Sequence, residues 1–335
     1  AGWRAFTAWP PAECESSTFQ LRGDGTLATG DGAPEASTDY DADPTVGAMA
    51  GLLDPLGVGV GYPLDQGLDD ASSLTFTSAP LESPLEIAGT PALLASVEVL
   101  AGREPMMLSA RLSDVSPHGR STLICRGWAN VWHRDGHEAS APPAPAERRE
   151  LRVELGAIAY RLAAGHRLRL SLACADFPTM WPSTGGERIR VHHGGAAGSR
   201  LVLPVLRGES QPPRLPLPQP RGGIDRSPWD AGGEPEWTIE RDLVGGTVSV
   251  ALGGRSSLRL PDGARFDLDH RARAVAGPGR VAELDTTARI EIAYPDGTAV
   301  RVDTSGHHQR TTMRYAGSVV VDGETVFDGH WAAGS

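Results

Sequence analysis

The sequence has no lysine: its 31 basic residues are all arginine. A phosphate loop of the Walker type, a Schiff-base mechanism and a lysine general base are excluded for want of the residue. Cysteine is scarce. Cys14, Cys125 and Cys174 are odd in number and show no C-x-x-C spacing, so neither a disulfide framework nor a zinc ribbon is present. Cys125 and Cys174 lie in apolar, strand-like runs, where buried and inert thiols are expected, and the compartment expected is the reducing cytoplasm. No run of about 18 apolar residues occurs, so no membrane helix is expected. Positive charge is in deficit: a formal charge of −11 leaves no clustered cationic face for nucleic acid. The first residue is Ala rather than Met and no signal peptide opens the chain, so its start is expected to be a point where something else was removed or omitted.

The apparatus of catalysis is equally thin. A serine nucleophile on a strand-to-helix elbow is written G-x-S-x-G, because only glycine tolerates the crowding on either side. Ser256, after Gly254-Arg255, and Ser210, after Gly208-Glu209, each lack the second glycine, and the alternating βαβ pattern of a doubly wound sheet is missing. His192-His193 and His307-His308 are adjacent pairs, which on a strand point to opposite faces and do not share a metal. Gly57, Gly59 and Gly61 form a G-x-G-x-G string that neither follows a strand nor opens a helix, so it reads as a turn. No cofactor and no metal are expected.

What is present is organised around residues 151–182. Leu151, Val153 and Leu155 alternate with Arg152 and Glu154; after a turn at Ala163-Ala164-Gly165, Leu168, Leu170 and Leu172 alternate with Arg167, Arg169 and Ser171. That period of two marks half-buried strands. The second run breaks at Phe177-Pro178, since proline has no amide hydrogen to give a ladder, and a sheet rim is expected there. Further short β-prone runs cover residues 74–76, 85–87, 93–100, 107–115, 122–132, 158–162, 189–192 and 201–206, with turns at Pro117-His118-Gly119 and Asp135-Gly136. Many short strands and almost no helix predict an all-β sandwich. Residues 37–70, rich in Gly, Asp and Pro, read as a long ordered loop.

Residues 207–236 are Pro- and Gly-dense and read as an extended linker. Beyond them, residues 237–335 form a second β unit in which Asp262-Gly263, Asp296-Gly297 and Asp322-Gly323 each sit between β-prone runs, a strong hairpin signal. A smaller antiparallel sandwich or partly closed barrel is expected.

A family resemblance rests on specific segments in order: Trp3-Arg4 and Trp9-Pro10-Pro11, Phe76-Thr77-Ser78, Ile87-Ala88-Gly89-Thr90-Pro91, Arg111-Leu112-Ser113-Asp114-Val115, His133-Arg134, Ala159-Tyr160, Gly165-His166-Arg167-Leu168-Arg169-Leu170, Phe177-Pro178 and Trp181-Pro182. Over roughly the first 206 residues the chain resembles the C-terminal, non-catalytic jelly-roll domain, galactose-binding-like in fold, of the cocaine esterase and X-Pro dipeptidyl-peptidase (CocE/NonD) serine hydrolases. The resemblance implies that residues 1–36 are the tether following an absent α/β-hydrolase domain, that residues 37–206 are the jelly roll, and that Asp43, Asp65, Asp69 and Asp70, which match acidic positions of the family's loop before its first long strand, chiefly build turns there by bonding backbone amides. The appended β domain, from Trp237 to the closing His330-Trp331, is similar to one that longer relatives carry. It also implies that nucleophile, acid and base lie outside this sequence, that the chain alone hydrolyses nothing, and that its partner is an α/β-hydrolase domain, upstream in the same polypeptide or on a separate chain. Its expected role is to cover the cleft, narrow substrate access and assist homo-oligomerisation. His166, at a turn entry, is expected to bond the neighbouring backbone. Trp3, Trp9, Trp132, His133, Arg134, Phe177 and Trp181 are the expected cleft- or domain-facing residues, since aromatic and arginine side chains anchor such contacts. Two rivals are a free-standing carbohydrate- or ligand-binding sandwich using Trp132 or Trp181, and an accessory chain of a split hydrolase.

Overall fold

The computed structural model describes residues 6, 8–30, 32–52, 61–102, 105–133, 141–144, 146–183, 186–207, 229–230 and 235–334. Trp3, Arg134, Gly57, Gly59, the Asp135-Gly136 turn and most of the linker lie outside them. The chain divides into two compact units, residues 1–51 with 63–216, and residues 52–62 with 217–335.

The first unit contains β1 (Cys14–Leu21), β2 (Leu27–Ala28), β3 (Ala36–Asp41), α1 (Gly67–Ala71), β4 (Leu74–Thr77), β5 (Leu85–Gly89), β6 (Ala92–Ala101), β7 (Met107–Val115), β8 (Ser121–Asn130), β9 (Arg148–Glu154), β10 (Ile158–Leu162), β11 (Arg167–Ala173), β12 (Arg188–His193) and β13 (Arg200–Leu206). Nine of the strands make one sheet, ordered β10-β5-β13-β6-β12-β3 with β1 joined at β13, β2 at β1 and β9 at β6; the other four make a second, β4-β11-β7-β8. All of these named pairings are antiparallel. The core lies between the sheets. Leu93, Val97, Val153, Val191, Leu201 and Leu203 of the first meet Phe76, Leu108, Leu112, Leu168, Leu170 and Leu172 of the second in one buried cluster. Each such side chain contributes about 1.5–3 kcal/mol by leaving water. Every expected strand of residues 74–206 is present, and Gly165 turns β10 into β11 in the left-handed conformation at φ +81°.

The structure departs from the sequence reading at three places. Residues 14–21, expected within a tether, form β1 and pair with β13 along seven residues. Glu15, Ser16 and Thr18 are exposed while Phe19 and Leu21 enter the core. Residues 37–70, expected to be a loop, contain most of the edge strand β3, in which Asp39 takes the guanidinium of Arg190, directly opposite it on β12, at 2.7 and 3.1 Å. Residues 42–51 and 63–70 then cover the outer face of the four-stranded sheet, so Ser109, Arg111, Ser113 and Ser171 are buried although their neighbours already fill the core.

In the second unit, β14 (Trp229–Asp230) and β15 (Glu236–Asp242) both pair with β16 (Thr247–Arg259), and the chain continues as a meander through β17 (Arg265–Ala276), β18 (Glu283–Ala293), β19 (Ala299–Gln309), β20 (Thr312–Val321) and β21 (Glu324–Gly334). Trp229 and Asp230 thus form a short strand inside the expected linker. The unit is one continuous eight-stranded antiparallel sheet. The Asp-Gly pairs turn its hairpins, with Asp322 and Gly323 both at positive φ, +49° and +86°, as a type I′ turn requires.

Candidate functional site, a buried ion cluster at the sandwich rim

β7 and β8 place Arg111 and Arg126 directly opposite one another on the outer face of the four-stranded sheet, with Ser171 of β11 on the far side of Arg111. Two like charges in cross-strand register repel. The anion that separates them arrives from β11, which ends at Ala173 and delivers Asp176 beneath the sheet rim. Asp176 is fully buried; its Oδ2 lies 3.1 Å from Arg126 Nη1 and accepts the Trp128 Nε1 proton at 3.0 Å, while Oδ1 lies 4.0 Å from Arg111 Nη1. The Arg126 guanidinium stands over the Trp128 ring, 5.5 Å from its centroid, a cation–π contact. Burial pushes the Asp176 carboxyl up from its ordinary value, against the opposing pull of Arg126 and Arg111.

The cover over this cluster is held by the acidic residues of the preceding segment. Arg126 Nη2 donates to Thr179 Oγ1 and to the Gly51 carbonyl, and Arg111 Nη2 donates to Ser73 Oγ at 2.7 Å. Asp70 accepts from Ser121, Ser171 and Arg169 at 2.7–3.0 Å, and Asp69 from the Met49 amide at 3.0 Å. Asp43 and Asp65 accept backbone amides, of Thr45 and of Gly67 and Ser121, so the turn-building role read from sequence fits them. Asp70 differs in bonding side chains of the sheet itself.

A second anchor lies at the end of β8. Arg149 is buried and donates to the carbonyls of Val131, Ala141 and Pro142 while pairing with Glu147 at 3.0 Å. It ties both ends of the segment between Trp132 and Ala141. Sequence carried a signal for it: Arg149 occupies the inward register of Leu151 and Val153, where an arginine must have dedicated partners.

Trp132 is half-buried against the core, with its amide on Asn130 Oδ1, and His133 follows it, half-buried. Trp181 is half-buried in the turn opened by the Met180 amide on the Asp176 carbonyl. Phe177 is corrected: it is 0% exposed and belongs to the unit's own packing, where its amide bonds the Val46 carbonyl. Trp9 is 52% exposed, and the adjacent Pro10 lies against Gly89 at the end of β5. Trp9 therefore belongs with the nine-stranded sheet and Trp181 with the rim of the four-stranded one.

None of this assembles a nucleophile. Cys125 and Cys174 are pushed by burial up to about 12, far from thiolate at neutral pH. His166 is corrected as well: its Nδ1 meets Asp114 Oδ1 at 2.7 Å instead of backbone, and Asp114 Oδ2 accepts the Tyr160 hydroxyl at 3.0 Å. This pair locks β10 onto β7, and among the described residues no serine or cysteine bonds the imidazole. Nor, among those residues, does any group of three His, Cys, Asp or Glu side chains suit a metal, and no helix is long and apolar enough to cross a membrane.

His193 is the buried histidine of the pair on β12, its Nε2 2.9 Å from Thr38 Oγ1 and its ring edge-on to Phe76. Burial first, and the neighbouring His192 second, hold its pKa below the ordinary 6.5. Between that lowered value and 6.5 the unfolded chain binds a proton that the folded chain refuses, so stability should fall as pH drops through the window. Urea titrations of the first unit should show a slope of up to about 1.4 kcal/mol per pH unit that His193→Gln flattens. Equal slopes would refute the assignment.

Residues 1–209 match the family described as the X-Pro dipeptidyl-peptidase C-terminal non-catalytic domain. The chain is 30% identical over 240 residues to a protein named as a serine esterase in Mycobacterium bovis, and 26% identical over 232 residues to the cocaine esterase of Rhodococcus sp.. Each match covers 61% of this chain and, respectively, 36% and 40% of the relative, so the chain spans well under half the length of these relatives. In fold it is similar to an aminopeptidase from a Thaumarchaeota archaeon, with a TM-score of 0.55 at 17% identity over 62% of this chain and 39% of that one. It is also similar to an α-amino acid ester hydrolase, with a TM-score of 0.50 at 18% identity over 57% and 36%. The chain belongs to the X-Pro dipeptidyl-peptidase C-terminal non-catalytic domain family.

Proposed function

We propose that the chain is the supporting part of a serine hydrolase acting on ester or amide bonds, acyl or X-Pro in type. It covers the cleft of an α/β-hydrolase domain supplied upstream in the same polypeptide or by a separate chain in the cytoplasm, limits substrate access, and assists oligomerisation. The observation that carries this reading is the family match over residues 1–209 in a chain whose serines lack the G-x-S-x-G elbow. The rim supports it: Trp181 and His133, half-buried, stand on segments fixed from behind by Asp176 and Arg149, so they present a rigid surface to a partner domain. Trp3, Trp9, Trp132 and Arg134 complete the proposed contact set.

Two measurements test it. The purified chain should turn over nitrophenyl acetate no faster than buffer, and a rate abolished by a serine-directed fluorophosphonate would overturn the reading. In source cells an antibody to residues 237–335 should detect a species of about twice 35.3 kDa, or co-precipitate a hydrolase chain. In that assembly Trp181→Ala should raise KM for bulky esters about tenfold over its effect on nitrophenyl acetate, as loss of a wall contact does.

A further inference from the structure

The sheet of the second unit segregates its side chains. One face carries Leu268, Ile290, Val302, Val319, Tyr315 and Trp331; the other carries charges paired in place, among them Arg255 with Asp269 and Arg289 with Asp303. At its edge, β21 pairs with β20 and, among the described residues, with nothing on its outer side. Soluble proteins blunt such edges with proline, lysine or brevity. β21 has none of these: it is eleven residues long, ETVFDGHWAAG, is interrupted only by a bulge at Val326, and exposes Val326, Phe327 and Trp331.

Its sequence is complementary to itself. A two-fold axis through Gly329 sets the regular run Phe327 to Trp331, beyond the bulge at Val326, opposite the same run of a second copy. Asp328 then faces the second copy's His330, and Phe327 faces its Trp331, each contact occurring twice. A carboxylate facing an imidazole N–H, and an aromatic pair, are both favourable in cross-strand register. Moving the axis to Asp328 or to His330 sets like groups against each other. Placing it between residues sets the apolar face of one copy beside the charged face of the other. The local geometry suits the central register. Phe327 and Trp331 already stack within the strand at 5.9 Å and 22°, and their rings close over Gly329, where a Cβ would lie 2.7 Å from one and 2.9 Å from the other. The Asp328 and His330 side chains are 65% and 78% exposed and meet each other at 3.7 Å, so the same carboxylate–imidazole contact can be made to a neighbour instead.

We propose that two copies of this chain pair antiparallel along β21 about Gly329, joining their sheets into one with a continuous apolar face. The proposal rests on the oligomerisation part of the reading above and not on its hydrolase part. Light scattering on the full chain at about 50 μM, enough to fill a micromolar interface, should give twice 35.3 kDa. His330→Asp sets carboxylates against each other and should weaken the dimer about tenfold, and Asp328→Lys added to it should restore the dimer by giving each carboxylate an opposed ammonium. Asp328→Cys and His330→Cys chains, mixed, should form a disulfide between unlike chains, because only directly opposed residues lie within bridging distance. A monomer at that concentration overturns the proposal, as does a dimer indifferent to His330→Asp, or one in which Asp328→Cys links to itself. A monomer leaves the cleft-covering reading intact, whereas fluorophosphonate-sensitive turnover by the chain would sink that reading and leave the dimer untouched.

Discussion

Asp176→Ala should cost the first unit about 3–5 kcal/mol, because it strands two buried arginines without their anion. With a urea dependence of about 2 kcal/mol/M the midpoint should fall by about 1.5–2.5 M. The reason lies in the register: Arg111 and Arg126 are direct cross-strand neighbours, and Arg111 is 0% exposed, so neither water nor rearrangement relieves their repulsion. Asp176→Asn keeps an acceptor for Trp128 Nε1 and should cost about half as much. The triple change Arg111→Met, Arg126→Met, Asp176→Leu should recover most of the loss, since well-packed apolar groups replace buried ion clusters at little cost. A loss below about 1 kcal/mol for Asp176→Ala would mean that the cluster is hydrated and that burial is not what holds the rim.

This cluster was hidden in the sequence for a physical reason. Ser109, Arg111 and Ser113 alternate with Leu108, Ala110 and Leu112, and a period of two tells which residues share a face but not what covers the second face. Leu168, Leu170 and Leu172 were legible as core because their burial depends on the strand alone. Ser171 and Arg169, on the same strand, are covered by α1, a contact made across a hundred residues by Asp70. The edge strand β3 was hidden differently: three of its six residues are Asp or Ser on the outward side, and only pairing with Arg190 and Arg188 makes an acidic strand acceptable. The Asp-Gly hairpins were legible because the turn conformation is dictated by two residues without reference to any partner. The family resemblance was carried by motifs over the first 206 residues, and it fixed the sandwich more firmly than any strand pattern could, while leaving the rim's electrostatics to the coordinates.

Gly47→Ala tests whether the cover is pressed onto the rim. Gly47 has φ +112°, and a Cβ there would lie 2.4 Å from the Asp176 carbonyl carbon and from the Phe177 nitrogen, both backbone atoms that cannot swing aside. The residue before it, Val46, accepts the Phe177 amide at 2.8 Å, so moving Gly47 away also breaks that bond. Strain at such a φ costs about 1–3 kcal/mol and the overlap about as much again. A loss of roughly 3–5 kcal/mol is therefore expected, together with faster proteolysis within residues 43–51 than elsewhere. Gly119→Ala is the control. Gly119 also has positive φ, +86°, but nothing lies within 4 Å of its would-be Cβ, so only the conformational cost of about 1 kcal/mol should appear. If the two changes cost the same, the segment does not bear on the Asp176 turn, and the burial of Arg111 and Arg126 needs another cause. If Gly47→Ala costs several times more, the cover, the ion cluster and the turn carrying Trp181 are one mechanical unit. A partner domain seated on Trp181 would then be read by the whole rim rather than by a single side chain.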